Sequence, residues 1–391
     1  MTPNLRHLRV FLGVLDTGTV TGAARACHVS QPAASQAMAR LEAEAGLPLL
    51  NHGRDGAGPT EAGHAFGRRL RRALGRLDAA LAAVAPRLVL TATRAQLTAL
   101  IAVRDAENFT LAAHRLGLAQ PSVHRAVTQL ESEAGRPLFQ RNGRRVQPTR
   151  AAEALADAVR LCFSELDQAA ADLGEISGRE AGRIVIGAMP LSRSIVLPRA
   201  LAEFRRLRPA TALSVVDGPY EDLLAGLRRG EIDLLIGALR QPAPVPDVTE
   251  ERLFTDDLVL VARPGHPLLA APLTVLALTG FPWILPRADT PSRAHFEQAL
   301  DALGAGDLPR PALIECGSAI LMRELLRLSD HIGCISRLQA SAEIALGAMV
   351  PLDLALPGSA RPIGLSHRAD WLPTAAQAQF VAILRALGQG L

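Results

Sequence analysis

The chain of 391 residues contains no lysine, so all 42 of its lysine-or-arginine positions are arginine. Cysteine is also scarce, and Cys27, Cys162, Cys316 and Cys334 form neither a CxxC pair nor a Cys/His spacing typical of zinc. We therefore expect no metal site and buried free thiols in a reducing cytosol. A redox pair of Cys316 and Cys334 is the alternative.

Segments that direct proteins into membranes are missing as well. The N-terminal residues lead into a mixed segment rather than an apolar signal peptide. The longest uncharged stretch, Pro264–Pro286, is broken by five prolines and two glycines, which favours strands and loops over a membrane helix. With 49% hydrophobic residues, these absences predict a cytoplasmic globular protein of several domains with no membrane partner.

Catalytic signatures are absent too: there is no nucleophile elbow, no phosphate-binding glycine run and no carboxylate pair. These absences predict that the chain is not an enzyme and that it binds no cofactor. The net charge of +4 is too small to argue from, but residues 136–150 hold five arginines and no acid. Such local positive charge is typical of nucleic-acid binding.

One phrase occurs twice. HVSQPAASQAMARLEAEAG at residues 28–46 recurs as GLAQPSVHRAVTQLESEAG at residues 117–135, and the offset of 89 holds without gaps from Leu5/Arg94 to Gly63/Ala152. Alanine richness does not explain glycine, proline and Gln-Pro positions that pair in register. We interpret the repeat as a tandem duplication of one domain.

Each copy reads as a helix-turn-helix. In copy 1 (residues 1–59) a helix with apolar periodicity precedes a short helix and a tight turn, and Ser30 then caps a helix that ends at Gly46. The first turn of that last helix would enter the major groove, where Gln31, Ser35 and Gln36 meet base edges while Arg40 reaches phosphate. An ordinary three-helix domain with a solvated polar face is the alternative.

The end of copy 2 (residues 93–148) favours DNA binding over the ordinary three-helix domain. FQRNGRRVQPT predicts a hairpin turn at Asn142-Gly143 flanked by arginines, a basic wing suited to phosphates. In copy 1 the equivalent LLNHGRDGAGPT keeps one arginine, so its wing is predicted to be lost. Copy 2 instead has Ala119 in place of the capping Ser30, at a cost of about 1 kcal/mol, and His124 in place of Ser35.

The combined motif resembles the N-terminal domain of LysR-type transcriptional regulators. It comprises Ala23-Ala24, Ser30–Ser35, Leu41-Glu42, Gly46, Leu49, Leu138-Phe139, Arg141, Arg145-Val146 and Pro148-Thr149. The resemblance covers essentially the whole chain. The departure from the family pattern is that the DNA-binding domain is doubled. The motif and the resemblance together predict the following DNA-binding residues: Ser30, Gln31, Pro32, Ser35, Gln36, Arg40, Gln120, Pro121, Ser122, His124, Arg125, Arg141, Arg144, Arg145 and Thr149.

A linker helix is expected after each copy, within residues 60–92 and 149–178. The second carries an apolar stripe through Leu155, Val159 and Leu166, which predicts pairing with its mate in a homodimer or homotetramer. The alternative is that it packs on its own domain. RNA polymerase is a further candidate partner.

From Arg183 strands alternate with helices, which predicts a parallel α/β region over residues 179–391. It resembles the two-lobed periplasmic-binding-protein fold of the family's effector domain, with lobe I at 183–261 and 362–391 and lobe II at 262–361. The fold class is therefore a multidomain α+β and α/β chain: two winged helix-turn-helix domains with linker helices, then a two-lobed α/β effector domain.

A small-molecule effector is expected between the lobes, at strand and helix ends. The candidate residues are Ala188, Met189, Pro190, Leu191, Ser192, Ser194, Asp217, Gly218, Pro286, Arg287, Thr290, Ser292 and Ser318. Each of them is equally explained as a cap or turn residue. VVDGPYEDLLAGLRRGEIDLLIGALR and PIGLSHRADWLPTAAQAQF are similar to regulators related to the galactose-binding-protein regulator, which implies a monosaccharide effector. Trp283 and Trp371 are candidate stacking platforms, with core packing as the alternative.

These features predict an effector-controlled, sequence-specific DNA-binding regulator of transcription. Three alternatives stay open: copy 1 is only an interaction domain, the repeats bind DNA with no ligand switch, or the chain is a solute-binding protein or enzyme on an α/β scaffold.

Overall fold

The computed structural model describes residues 3–53, 56–143, 145–240, 243, 245–270, 272–306 and 312–391. The chain forms two compact units. The first holds the residues up to Arg183, and the second holds nearly all of the rest.

In the first unit one order of elements occurs twice. Its first occurrence comprises α1 (Leu5–Thr17), α2 (Val20–Ala26), α3 (Gln31–Ala45), β1 (Leu50–Gly53), β2 (Gly56–Pro59) and α4 (Glu61–Val84). A short helix, α5 (Leu88–Thr91), connects it to the second. The second comprises α6 (Arg94–Ala106), α7 (Phe109–Leu116), α8 (Gln120–Ala134), β3 (Phe139–Asn142), β4 (Arg145–Pro148) and α9 (Arg150–Ile176).

Equivalent hydrogen bonds fix the local structure in both copies. The Glu42 carboxylate accepts from the backbone N–H groups of Leu49 and Leu50 at 2.8 and 3.0 Å. Glu131 accepts from Leu138 and Phe139 at the same distances. Each glutamate therefore ties the helix before it to the hairpin that follows.

Helix ends follow the predicted capping, with one difference between the copies. The Ser30 hydroxyl accepts from Ala33 N at 3.4 Å, whereas Ala119 has no side-chain cap. Gly46 and Gly135 end their helices with φ of 68°, a left-handed conformation that costs glycine little.

The two hairpins correct two predictions. In copy 1 the hairpin persists, because β1 pairs antiparallel with β2 from Leu50↔Pro59 to Gly53↔Gly56; only its arginines are reduced. In copy 2, Asn142 pairs with Arg145, so Asn142 belongs to β3 and not to the turn in which it was predicted. Gly143 has φ of 60°, which suits the first position of a primed turn.

The apolar stripe of α9 packs on α4 of the same chain. Leu155, Val159 and Leu166 belong to one buried cluster with Leu70 and Leu77 of α4. The prediction that this stripe pairs with a second copy is therefore wrong for the face that α4 covers. The apolar face needed a helical partner, as predicted, and the first copy's linker helix supplies it.

The second unit contains two five-stranded sheets. Its elements in chain order are β5 (Arg183–Ala188), α10 (Val196–Leu207), β6 (Ala212–Val216), α11 (Tyr220–Arg228), β7 (Leu234–Ala238), β8 (Val248–Asp256), β9 (Leu258–Ala262), β10 (Trp283–Leu285), α12 (Pro291–Ala302), β11 (Leu313–Glu315), α13 (Ala319–Leu328), β12 (Ile332–Ser336), α14 (Arg337–Ala345), β13 (Val350–Pro351), β14 (Arg361–Arg368) and α15 (Ala375–Gln389). The strand orders are β6-β5-β7-β14-β8 and β11-β10-β12-β9-β13.

Both sheets are mixed rather than purely parallel. The β5–β7, β10–β11 and β10–β12 pairs are parallel, but β14 runs antiparallel to β7 and β8, and β9 antiparallel to β12 and β13. The predicted lobe boundary at 261 is also wrong, because β9 belongs to the second sheet and the chain crosses at Asp256–Leu258. It returns at Arg361, the first residue of β14.

Both tryptophans contact apolar clusters. Trp283 is 2% exposed, lies in β10 and packs on Phe296, with ring centroids 5.6 Å apart. Trp371 is partly buried against the core of the first sheet and stacks on His367. Trp283 is therefore a core residue, and the ring of Trp371 packs partly against the core.

The four cysteines are free thiols; three are buried, and Cys27 is half-buried. Within the described ranges, no cluster of histidine, cysteine or acidic side chains could hold a metal ion. None of the helices in that part of the chain is long and apolar enough to cross a membrane.

Candidate nucleic-acid interface and effector site

Helix α3 separates an apolar face from a polar one. Ala34, Met38 and Leu41 are buried. The opposite face is exposed and carries all the residues predicted from copy 1: Ser30, Gln31, Pro32, Ser35, Gln36 and Arg40. The Gln31 amide donates to the Ser35 hydroxyl at 3.2 Å, so two predicted base-contact residues lie together on one helical turn.

Arg40 extends this face towards α1. Burial lowers the pKa of His7 in α1, and the nearby Arg40 guanidinium lowers it further. Both effects disfavour the charged form of His7, so Arg40 is the main positive charge at this edge of the face. That charge is suited to a phosphate.

Helix α8 presents the matching face of copy 2. Val123, Val127 and Leu130 are buried, and an open depression is lined by Gln120, Pro121, His124, Arg125, Thr128, Gln129 and Ser132. Ser122 is exposed beside it. Four of the predicted contacts are therefore brought together on one concave surface.

His124 is less available than predicted. Its ring is half-buried and packs on Phe109, with centroids 5.0 Å apart, and its Nδ1 lies 3.4 Å from the Thr128 hydroxyl. Of the DNA-binding residues predicted in α8, the exposed Gln120, Ser122 and Arg125 are therefore more accessible than His124.

The copy 2 hairpin places one described arginine at the surface. Arg145 is exposed, and the adjacent Val146 is buried and donates its N–H to the Glu107 carbonyl at 3.0 Å, which fixes the hairpin to the end of α6. Arg144 lies outside the described residues, as does the side chain of Arg141. Thr149 caps α9 by accepting from Ala152 N at 3.3 Å.

The predicted effector residues lie at equivalent places in the two sheets. In one sheet β5 lies between β6 and β7, and in the other β10 lies between β11 and β12. Ligands of open α/β sheets bind at the carboxyl end of the strand where the order reverses. Residues 188–194 follow β5 and residues 286–292 follow β10, so both predicted groups lie at such positions.

The group after β5 is partly structural. Ala188 and Leu191 are buried in the core, and Ser192, which is 0% exposed, donates its hydroxyl to the Met189 carbonyl at 2.8 Å. Met189 itself donates its N–H to Ile236 at 2.9 Å. Pro190 is half-buried, and Ser194, Asp217 and Gly218 are exposed.

The group after β10 begins a helix. Thr290 caps α12 by accepting from Arg293 N at 3.3 Å. Arg287 is exposed and pairs with Asp289, whereas Pro286 and Ser292 are half-buried. Ser318 caps α13 in the same way and is exposed. Among the described residues, no hydrogen bond or ion pair joins this group to residues 188–194, 217 or 218.

A buried ion pair at the strand crossing was not predicted from the sequence. Arg361 donates to Asp256 at 3.0 Å and to the Ser292 hydroxyl at 2.6 Å, and both charged side chains are almost fully buried. Burial lowers the pKa of Arg361, and Asp256 opposes that shift. Asp256 also accepts from Leu338 N at 3.1 Å. The pair therefore links both crossing strands to α12 and α14. No local pattern indicates it, because its partners are distant in sequence.

Two family models match the chain. The model of the bacterial regulatory helix-turn-helix proteins of the lysR family matches residues 5–64 and again 95–153. The LysR substrate binding domain matches residues 177–389.

Two relatives named as transcriptional regulators are similar to two thirds or more of this chain. The chain is 33% identical over 388 residues to the HTH-type transcriptional regulator GalR of Pseudomonas putida, covering 98% of this chain and 97% of that protein. It is 30% identical over 264 residues to the regulator PcaQ of Agrobacterium fabrum, covering 67% of this chain and 84% of that protein.

Solved structures share the fold. CbnR complexed with its target DNA is 22% identical, with a TM-score of 0.53, and the match covers 74% of this chain and 98% of CbnR. LysG of Corynebacterium glutamicum with its bound effector Arg is 21% identical, with a TM-score of 0.53 and 75% and 97% covered. About a quarter of this chain has no counterpart in either structure. The chain belongs to the LysR family of bacterial transcriptional regulators, with a DNA-binding helix-turn-helix and an effector-binding domain.

Proposed function

We propose that this regulator carries a tandem pair of winged helix-turn-helix domains and that both contact DNA. The observation that supports this most directly is the exposure of the predicted polar faces of α3 and α8, each opposite a buried apolar face. The helix-turn-helix model matches both regions, and the element order is the same in both.

Copy 2 contributes more through phosphates, and copy 1 more through base edges. Replacing Arg144 and Arg145 by alanine removes two cations. The slope of log affinity against log salt concentration should therefore decrease by the equivalent of about two phosphate contacts, and affinity should fall for every DNA sequence. Ser35→Ala/Gln36→Ala should instead weaken discrimination between sequences. Filter binding across a salt series, with both variants on one duplex, measures both effects.

Each outcome decides between the alternatives. Unchanged affinity in the Arg144→Ala/Arg145→Ala variant would overturn the role of the wing. Unchanged affinity and sequence preference in the Ser35→Ala/Gln36→Ala variant would leave copy 1 as an interaction domain only.

The effector is proposed to bind between the two sheets of the second unit, at the segments that follow β5 and β10 and contain Ser194 and Thr290. Closure of the two sheets on the ligand would alter the spacing of the DNA-binding domains through a homodimer or homotetramer. Footprinting with and without effector tests this. A footprint that no small molecule changes would favour the ligand-independent alternative.

A monosaccharide or similar polyhydroxy compound is the proposed effector. The support is the resemblance of two stretches to sugar-responsive regulators, together with hydroxyl groups at the helix starts, Thr290 and Ser318. The buried Trp283 offers no stacking surface. A thermal-shift screen with sugars at millimolar concentration should raise the melting temperature. A shift with an aromatic acid and none with any sugar would reject the assignment.

A further inference from the structure

We infer that one chain of this protein forms, by itself, the paired DNA-reading unit, and that its operator has two different half-sites. This inference rests on the proposed DNA binding of both copies. The pairing element is the contact between the two linker helices α4 and α9, which lie in one compact unit.

The order of contacts shows that α4 and α9 run antiparallel. Arg69 of α4 contacts Asp172 at 2.5 Å, and Arg72, one turn later, contacts Glu165 at 3.2 Å. As α4 advances, its partners therefore move back along α9. Further on, burial raises the pKa of Cys162 in α9 and Asp78 in α4 raises it further, which continues the same order.

Antiparallel pairing separates the two modules. Each helix-turn-helix is joined to the N-terminal end of its own linker helix, so the two attachment points lie at opposite ends of the pair. The helices have 24 and 27 residues, or about 36 and about 40 Å at 1.5 Å per residue. That length is close to one turn of B-DNA, roughly 34–36 Å, the separation of half-sites bound by paired helix-turn-helix modules.

The interface is specific for α4 against α9. Arg69 is 1% exposed, and its Nη1 donates to the Gln168 side chain at 2.9 Å and to Glu165 at 3.3 Å. At the offset of 89, the equivalent of Glu165 is Arg76, and the equivalent of Arg69 is Ala158. Pairing α4 with α4 would place Arg69 opposite Arg76, and pairing α9 with α9 would place Glu165 opposite Ala158. Both leave buried charge uncompensated, which is strongly destabilising.

The connection between the copies favours pairing within one chain over exchange between chains. Leu88 of α5 is 0% exposed, and Arg87 donates to the backbone carbonyls of Ser132 and Glu133 at the end of α8. This segment runs directly into α6 at Arg94. Between Val84 and Arg94 the docked connection therefore leaves few residues with which copy 2 could reach a second chain.

The two reading faces are unlike. The residues predicted to meet base edges from α3 are Gln31, Ser35 and Gln36, whereas the exposed residues predicted in α8 include Gln120, Ser122 and Arg125. A homodimer with one head per chain reads a symmetric site. One chain with two unlike helix-turn-helix modules, its reading heads, instead binds two half-sites of different sequence in a fixed order.

Complementation between full-length variants tests the inference. One variant carries Gln31→Ala/Ser35→Ala/Gln36→Ala, the other carries Gln120→Ala/Arg125→Ala/Arg145→Ala, and Arg68→Ala on the exposed face of α4 is the control. The probe is a duplex selected by the unmodified chain from a random-sequence pool. Each variant should fail to protect a different half-site. Because avidity is lost, its affinity should also fall by on the order of 10²-fold or more. The control should bind as the unmodified chain does.

The two variants are then co-expressed and assayed as a mixture. Pairing within one chain predicts that the mixture binds no more tightly than the better single variant, because no chain holds two intact heads. Recovery towards the affinity of the unmodified chain would show pairing between chains and overturn the inference while leaving DNA binding intact. If the unmodified chain selects no duplex, the proposed function itself fails. If both variants protect the full site, the two faces are not the reading heads.

Discussion

At the scale of single residues, the two copies show what one side chain changes within a constant backbone. The caps of α3 and α8 occupy equivalent positions and share the same extended backbone, with ψ of 149° at Ser30 and 139° at Ala119. Only serine accepts a hydrogen bond from the first turn. The sequence alone predicted this difference, because a cap is a local interaction.

Exchanging the two caps should therefore change stability in opposite directions. We expect Ser30→Ala to lower the free energy of unfolding by about 1 kcal/mol and Ala119→Ser to raise it by a similar amount. Urea denaturation followed by circular dichroism measures both. The double variant should lie near the unmodified protein, and two changes of the same sign would contradict the assignment of the caps.

Arg69 is a residue whose role the sequence did not indicate. It is surrounded in sequence by Arg68, Arg71 and Arg72, and its residue type does not distinguish it from them. Helical periodicity places it on the apolar side of α4, where the acidic groups of α9 are more than ninety positions away in the chain.

Arg69→Met should cost about 3–5 kcal/mol of stability, because Glu165 would remain buried without that partner. Arg68→Met, at the exposed position next to it, should change stability by no more than about 0.5 kcal/mol. Thermal melts of the two variants give the comparison. Equal melting temperatures would show that Arg69 does not hold the helix pair together.

At the scale of elements, the bounds of α9 were predicted well but its partner was not. The helix was expected within residues 149–178 and spans Arg150–Ile176, with Thr149 as its cap. Its apolar stripe correctly indicated a helical partner. Which helix covers it is a question of tertiary structure, because α4 and a second α9 both offer an apolar face.

Cys162 reports on this helix pair. It is 0% exposed within the cluster that joins α4 and α9, and burial raises the pKa of its thiol to about 12. Little thiolate forms at neutral pH, so we expect the native protein to leave Cys162 unmodified by iodoacetamide while the half-buried Cys27 reacts. Peptide mass mapping locates the label.

The same measurement on Arg69→Met should show faster modification of Cys162, because the pair opens more often. Cys334, which is buried in the second unit with a pKa also raised to about 12, is the internal control and should not change. Equal labelling rates at Cys162 in both proteins would show that Arg69 does not keep the helices together.

At the scale of the whole molecule, the order of domains follows from the repeat and the later change of periodicity. The lobe boundary does not. LVLVA at 258–262 reads as a buried strand in either sheet, and only its pairing with β12 and β13 assigns it to the second. The Arg361–Asp256 pair fixes the crossing next to it.

Arg361→Met should lower the stability of the effector unit by about 3–5 kcal/mol, since Asp256 would be left buried without this cation. Arg385→Met removes an ion pair with Glu251 at a largely exposed position and should cost less than about 1 kcal/mol. Differential scanning calorimetry measures both. The two variants melting alike would show that the crossing does not depend on the pair.

The sequence by itself determined the helices of the first unit, their caps, the repeated phrase and the exposed polar faces of α3 and α8, because each depends on neighbours within a few residues or on a constant offset. Tertiary structure alone decided that α4 pairs with α9, that β9 belongs to the second sheet and that Arg69 and Arg361 are buried against acids. Those outcomes depend on which of several compatible surfaces pack together. The local sequence pattern is the same whichever surfaces do so.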